Sequence, residues 1–398
     1  MRKMIFVIIL VLGGCNKTSQ NDQYALAQQL VNQNILIDGH IDLPYRLSKE
    51  NTDVSLSTSV GDFDVPRAKA GGLNAPFMSI YIPAEKEVDG TATEYANQLI
   101  DRIEDLVTAH PNIFAIPNTL QQLNNQVEQG KISLPLGMEN GAAINGSIET
   151  LRHFQRRGVR YITLTHSKSN HISDSSYDES RPWGGLSDFG SQLVMEMNKL
   201  GIMVDVSHVS DKAFWQVLEI SSVPVIASHS SARHFTPGFE RNMSDAMIKA
   251  LADQGGIIMI NFGSTFISAK SRDSFGSISA SVEEFIQENN LSKDSREVEA
   301  FAESLRKERF VYADLDDVLD HFDHIRNLVG VEHIGIGSYF DGVGDSLPVG
   351  LKDVSEYPNL VHGLLKRGYS MTDIKKILAG NLLRVWQENE EYADLQGQ

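Results

Sequence analysis

A single pattern constrains this chain more than any other: an amphipathic helix-like stretch, a glycine, and then a short run of Val, Ile and Leu, repeated along the sequence. It reads IETLRHFQRRG then VRYITLTH, SQLVMEMNKLG then IMVDVSH, SDAMIKALADQG then GIIMINF, and DDVLDHFDHIRNLVG then VEHIGIGSYFDG. Gly158, Gly201, Gly255 and Gly330 stand where a helix ends in a left-handed turn. The runs that follow lack clean alternation, as strands buried on both faces do. Helices alternating with such strands give an α/β fold with a parallel sheet. The chain has 398 residues, and no linker rich in Pro, Ser or Gly divides it, so residues 25–398 are read as one domain.

The polar residues choose between the two parallel architectures. His40 and Asp42 end ILIDGHID, Glu139 ends LPLGMEN, His166 ends YITLTH, His208 ends IMVDVSH, His229 ends VPVIASH and Asp341 ends IGIGSYFD. An open doubly wound sheet binds between a few strand ends, whereas a closed barrel gathers all of them around one mouth. A constellation drawn from so many strands predicts a TIM-type (β/α)₈ barrel. The polar segment 267–312, with SREVEAFAESLRKERF helical, is read as an insertion on a βα loop.

The donor chemistry follows. The only cysteine is Cys15, which excludes an internal disulfide and a cysteine-based zinc site, so a metal would be held by His, Asp and Glu. Residues two apart on a strand share a face, so His40 and Asp42 can grip one ion. His208 and His229 can grip a second, with Glu139 as a bridge. Two such ions share a hydroxide and polarise a scissile carbonyl, which points to amide hydrolysis. His171 and His234 read as surface residues, and His153, His321, His324 and His333 as solvated positions on helix faces or at a strand start. With Lys+Arg at 35 against Asp+Glu at 52, the net charge of −17 leaves little to build a basic face from, so nucleic acid is excluded as a partner.

Residues 1–14 carry a basic start and a short apolar run, the layout of a secretion signal too short to span a bilayer of ~30 Å. Leu12-Gly13-Gly14-Cys15 resembles the lipobox of bacterial lipoproteins, which implies lipidation of Cys15, with 15–24 as a polar tether. The expected location is the bacterial cell envelope, anchored on the periplasmic side of the outer membrane. A homodimer is allowed, not required.

The strings DGHIDLP, GMENG, GVRYITLTHS, GLSDFG, DVSHVS, PVIASHSSAR, ERNMSD and GSYFDGV, in this order, with LKDVSEYPNLVHGLLKRGYS and ILAGNLLRVWQ after them, resemble the membrane (renal-type) dipeptidase family over nearly the whole mature chain. The resemblance implies a metal-dependent barrel, two zinc ions, and cleavage of dipeptides, including those with a D-residue at the carboxyl end. By the same resemblance His40 and Asp42 are ligands of one zinc, Glu139 bridges, and His208 and His229 hold the other. His166 would hold the substrate and polarise its carbonyl, and Arg241 would receive the terminal carboxylate. The chain departs from the family where an Asp-Phe-Asp triplet is replaced: Tyr339 stands at the position of the acid that would protonate the leaving amine. Tyr339 then lines the substrate, and Asp341 either takes over as the acid or braces the loop. Phe266 stands where the family often has a tyrosine near the substrate. These changes keep two other readings open: a dinuclear hydrolase of another small amide, or a weakened homologue that binds peptides.

Overall fold

The aliphatic runs form eight parallel strands, β1 (Ile37–Ile41), β2 (Ala75–Tyr81), β3 (Leu136–Glu139), β4 (Val159–Thr163), β5 (Met203–Asp205), β6 (Ile226–Ser230), β7 (Ile257–Ile260) and β8 (Ile334–Ile336), neighbours in space in the order of the chain. This is a computed structural model, which describes residues 20–397. The sheet closes where Ile41 bridges Phe340 in parallel, with the Tyr339 N–H donating to the His40 carbonyl at 3.1 Å and the Asp42 N–H to the Phe340 carbonyl at 2.9 Å. The result is the expected (β/α)₈ barrel. Closure at the carboxyl ends of the strands is what draws the predicted polar residues into one mouth.

Phe77, Tyr161, Met203 and Met259 pack inside the barrel, and Leu382, Val385 and Trp386 of the carboxy-terminal helix Asn381–Gln396 join the same cluster, with Trp386 5.5 Å from Phe77. Tyr161 crosses so close to β3 that a Cβ on Gly137 would lie 2.0 Å from its ring, so only glycine fits there. A larger apolar layer lies between strands and helices, and includes Ile80, Ile162, Leu193, Val204 and Phe214. Three helices start on the same local signal. In LSD, VSD and MSD, Ser187, Ser210 and Ser244 accept the N–H groups of Gly190, Ala213 and Met247, with an aspartate in the first turn of each helix. Each cap stabilises its helix by about 1 kcal/mol and fixes where the preceding loop ends.

The insertion forms two helices, Ala269–Asn289 and Arg296–Arg309, joined through stacked Phe285 and Phe301 rings 4.2 Å apart. A helix begins at Gln20, inside the stretch expected to be a tether, and runs to Gln33, with Tyr24 set edge-on against His362. The signal segment and Cys15 lie outside the described residues. Among the described residues no helix is long and apolar enough to cross a membrane.

One histidine departs from the sequence expectation. His321 is fully buried, because it shares the stripe of helix Leu315–Val329 that carries Val318, Phe322 and Ile325. Its Nδ1 accepts the Ala232 N–H at 3.1 Å and its Nε2–H donates to the Ile267 carbonyl at 2.9 Å. Burial pushes its pKa down to about 4, so the folded chain stays neutral here while the unfolded chain takes up a proton near 6.5. Stability from this group is therefore complete above pH 6.5 and lost as pH falls toward 4, by about 1.4 kcal/mol per unit and about 3 kcal/mol in all. Urea unfolding of wild type and His321→Gln at pH 7.5 and pH 5 should show the gap between them narrowing by about 2 kcal/mol in acid; a gap independent of pH would show that His321 is not the titrating group.

Candidate metal centre

The mouth of the barrel collects the predicted donors, although not all in the expected backbone settings. Glu139 ends β3 and His229 lies within β6, as read from sequence. Asp42, expected on the strand, has already left it and sits at the start of helix Leu43–Lys49 with φ −86°. Its carboxylate still faces His40, at 3.4 Å from Nε2, and a Cβ on Gly342 would lie 2.1 Å from its Oδ2. His208 lies three residues past β5 in a left-handed conformation, φ +69°. Glu139 stands between the two sets of donors. Its Oε2 is 3.5 Å from His40 Nε2, while its Oε1 is 3.1 Å from His208 Nε2, 3.2 Å from His229 Nε2 and 3.6 Å from His166 Nε2. His166, expected to touch substrate, is therefore as much part of this cluster as the ligands themselves.

The hydrogen bonds fix which ring nitrogens face inward. Tyr161 donates its hydroxyl to the Gly39 carbonyl at 2.9 Å, and so it accepts from His40 Nδ1 at 3.0 Å, leaving Nε2 turned to the carboxylates. Ser228 donates to Asp205 at 2.6 Å and accepts from His229 Nδ1 at 2.8 Å, which again leaves Nε2 inward. Asp205 is anchored by Thr163 and by the backbone N–H groups of Ser207 and Ser228. Outer partners of this kind orient imidazoles toward an ion. Sequence reading missed Tyr161, Asp205 and Ser228. Each sits within or just after an apolar strand run and looks like core, although Asp205 two residues before a strand-end Ser-His was a legible signal.

The electrostatics match a cation site. Burial pushes His208 and His229 well below the ordinary imidazole value, assisted by the charges of Arg241 and His40 respectively, so both are neutral. Burial also disfavours charge on His40, but the carboxylates of Asp42 and Glu139 outweigh it and raise the pKa to about 10. Burial opposes ionisation of Glu139, yet the charges of His40 and His166 and the close approach of the His208 and His229 imidazoles hold it well below the usual range. His40 Nε2, Glu139 Oε1 and both Asp42 oxygens are buried without a hydrogen-bond partner. Four unpartnered polar atoms facing one another would cost several kcal/mol unless a cation is shared among them. Nitrogen and carboxylate oxygen donors of this kind suit zinc. The donor set fits a metal centre built on the residues named from sequence.

The remaining predicted residues surround this cluster. A cavity of about 190 Å³ opens beside Glu139, His166 and Tyr339. Arg241 is buried, with Nη1 on Ser230 Oγ at 2.7 Å and Nη2 on the His229 carbonyl at 2.8 Å, and its Nε has no protein partner. Tyr339 and Asp341, expected on one face of a strand, lie beyond the end of β8, both at positive φ, +68° and +62°, and turn to different neighbours. The Tyr339 ring packs on His40 and His229, at 5.1 and 4.8 Å. The Asp341 carboxylate accepts Arg46 Nε at 2.9 Å and the Asp62 N–H at 2.6 Å. Both its oxygens are thus occupied in tying helix Leu43–Lys49 and the Asp62 loop to its own loop, which favours the bracing alternative over the catalytic one. A cleft of about 580 Å³ at the opposite end of the barrel, near Asn34, Asn74 and Lys131, contains no imidazole.

With this geometry in place, comparisons with known proteins converge. The family model for membrane dipeptidase (peptidase family M19) matches residues 24–397. Dipeptidase 3 of Mus musculus is 34% identical over 365 residues, 89% of this chain and 64% of the mouse protein, and Dipeptidase 3 of Rattus norvegicus is 34% identical over 365 residues, covering 65% of the rat protein. The chain thus spans slightly under two thirds of the length of these curated relatives. Among solved structures, the probable dipeptidase PvdM from Pseudomonas aeruginosa superposes with a TM-score of 0.82 at 26% identity, over 94% of this chain and 100% of that one. A metallo peptidase from Rhodobacter sphaeroides, liganded with a phosphinate mimic of the dipeptide L-Ala-D-Ala, shares the fold at a TM-score of 0.73 and 24% identity, over 89% of this chain and 99% of that one.

Proposed function

This chain belongs to the membrane dipeptidase family, and from that premise we propose that it hydrolyses the amide bond of dipeptides at the carboxyl mouth of its barrel. The observation that carries the reading is Glu139, whose Oε2 faces His40 and whose Oε1 faces His166, His208 and His229 within one buried cluster. Two zinc ions are proposed, one held by His40, Asp42 and Glu139, the other by Glu139, His208 and His229. Bound there, zinc supplies Lewis acidity toward the scissile carbonyl and lowers the pKa of the attacking water.

The protein's own groups do the positioning. Arg241, pinned through both Nη atoms beside His229, is the cation proposed to receive the terminal carboxylate of the substrate. His166, whose pKa burial lowers, stands beside Glu139 with Nδ1 unpartnered and can orient the carbonyl oxygen. Tyr81 packs on the His166 ring at 4.7 Å and lines the same cavity. A carboxylate held by Arg241 fixes only one end of the substrate, which is compatible with a D-residue there. We further propose lipidation at Cys15 and attachment to the periplasmic side of the outer membrane, as the segment up to Cys15 suggests.

A second reading, hydrolysis of another small amide, draws on a cavity of about 170 Å³ beyond Tyr339, walled by Phe266, Phe310 and Val343 and therefore partly by the insertion. Zinc-loaded enzyme assayed on L,L and L,D dipeptides alongside N-acyl amino acids separates the two. Turnover confined to dipeptides supports the first reading, turnover confined to the acyl substrates supports the second, and none on either class defeats both. Arg241→Ala is expected to raise KM for dipeptides by about 10²-fold, since a charge-assisted pair contributes roughly 1.5–3 kcal/mol. An unchanged KM would remove Arg241 from the carboxylate site.

A further inference from the structure

Away from the barrel mouth, three more ligand-type side chains converge. His234 lies in the short turn Arg233–Phe235, Asp245 opens helix Asp245–Asp253, and His324 projects from helix Leu315–Val329. One ligand atom from each lies within 4.8 Å of the other two. His324 Nε2 is 2.8 Å from Asp245 Oδ1, and the His234 and His324 rings stack with centroids 4.4 Å apart at 20°. No sequence signal marked this group, because the three residues come from three elements and each alone reads as a surface position.

We propose that His234, Asp245 and His324 form a second, peripheral site for a divalent transition-metal cation that prefers nitrogen and oxygen donors, such as zinc. Two imidazoles and one carboxylate are the donor types of open zinc sites, which keep a further position for water. His234 is exposed, so the site is accessible from solvent. A cation would take the place of the hydrogen between His324 Nε2 and Asp245 Oδ1, with the imidazole hydrogen moving to Nδ1. The neighbouring His321 is not a ligand, since both its nitrogens are committed to the Ala232 N–H and the Ile267 carbonyl. Occupancy has a structural consequence. The loop 231–243 carries Arg241, and an ion on His234 would tie the near end of that loop to two helices of the barrel's outer layer. The site is thus placed to stiffen the substrate loop without touching substrate.

The test is calorimetric titration of the full chain with Zn²⁺ alone, starting from protein whose barrel centre is already filled. Wild type should take up about one further equivalent, and both His234→Asn and His324→Gln should weaken that event by at least about tenfold. Glu139→Gln, which disables the barrel centre, should retain the peripheral event, so failure of the dipeptidase reading leaves this result legible. His234 is exposed, so its variant is expected to melt at the wild-type temperature, and a melt in parallel checks this. Uptake of no further equivalent, or equal affinity in wild type and both variants, overturns the proposal.

Discussion

Glu139→Gln is expected to lower kcat/KM on dipeptides by at least about 10³-fold, a loss of about 4 kcal/mol of transition-state stabilisation, and to reduce bound zinc in the same preparation. The change is nearly isosteric, so the barrel should persist. What disappears is the anionic charge that faces His40 through one oxygen and His208 and His229 through the other. An amide offers one weak acceptor in place of two charged ones, and it turns an N–H group toward one set of donors. Metal analysis and steady-state kinetics on one sample distinguish lost metal from lost chemistry. A variant with full zinc content and wild-type turnover would show that Glu139 is not the bridge.

The second large effect runs in the opposite direction. Tyr339→Asp is expected to raise kcat on dipeptides by about 10²-fold, within the range that a positioned proton-transfer group contributes. The Tyr339 phenol is a poor proton donor. Burial raises its pKa well above 10, and the carboxylates of Glu139 and Asp42 push it further. A leaving amine needs a stronger acid than that. The backbone also favours the exchange, because residue 339 sits at φ +68°, a region that aspartate enters more readily than tyrosine. Tyr339→Phe serves as the control, and its kcat should stay within about threefold of wild type if the phenol carries no proton. Should Tyr339→Asp leave kcat unchanged while Tyr339→Phe abolishes it, the hydroxyl would be the working group and the substitution an adaptation to another substrate.

Asp341 shows why such roles are hard to read from sequence. It survives from the motif two residues after Tyr339, and by spacing alone it could replace the missing acid. Its partners are Arg46, which is 295 positions away, and the backbone of Asp62. Burial raises its pKa to about 7, Arg46 opposes that shift, and both oxygens are taken up by Arg46 on its helix and the Asp62 backbone. Its neighbours, and not its motif, set its work. Tyr161 and Asp205 make the same point from the other side, since they sit among aliphatic strand residues and gain meaning only where a ring nitrogen of His40, or Ser228 beside His229, meets them.

The sequence by itself determined the elements and their order, because helix caps, strand runs and the glycines between them depend on neighbours a few residues apart. It also determined that imidazoles and carboxylates stand at strand ends, and a closed parallel barrel has only one place to put them. The tertiary structure alone decided which way each side chain turns once its strand has ended. His208, Tyr339 and Asp341 all adopt left-handed backbones that no local preference demands, and packing across the mouth selects them. The same packing buried His321, gathered His234, Asp245 and His324, and set Tyr161 and Ser228 behind the inward-facing imidazoles, since contacts between distant segments exist only after the barrel has closed.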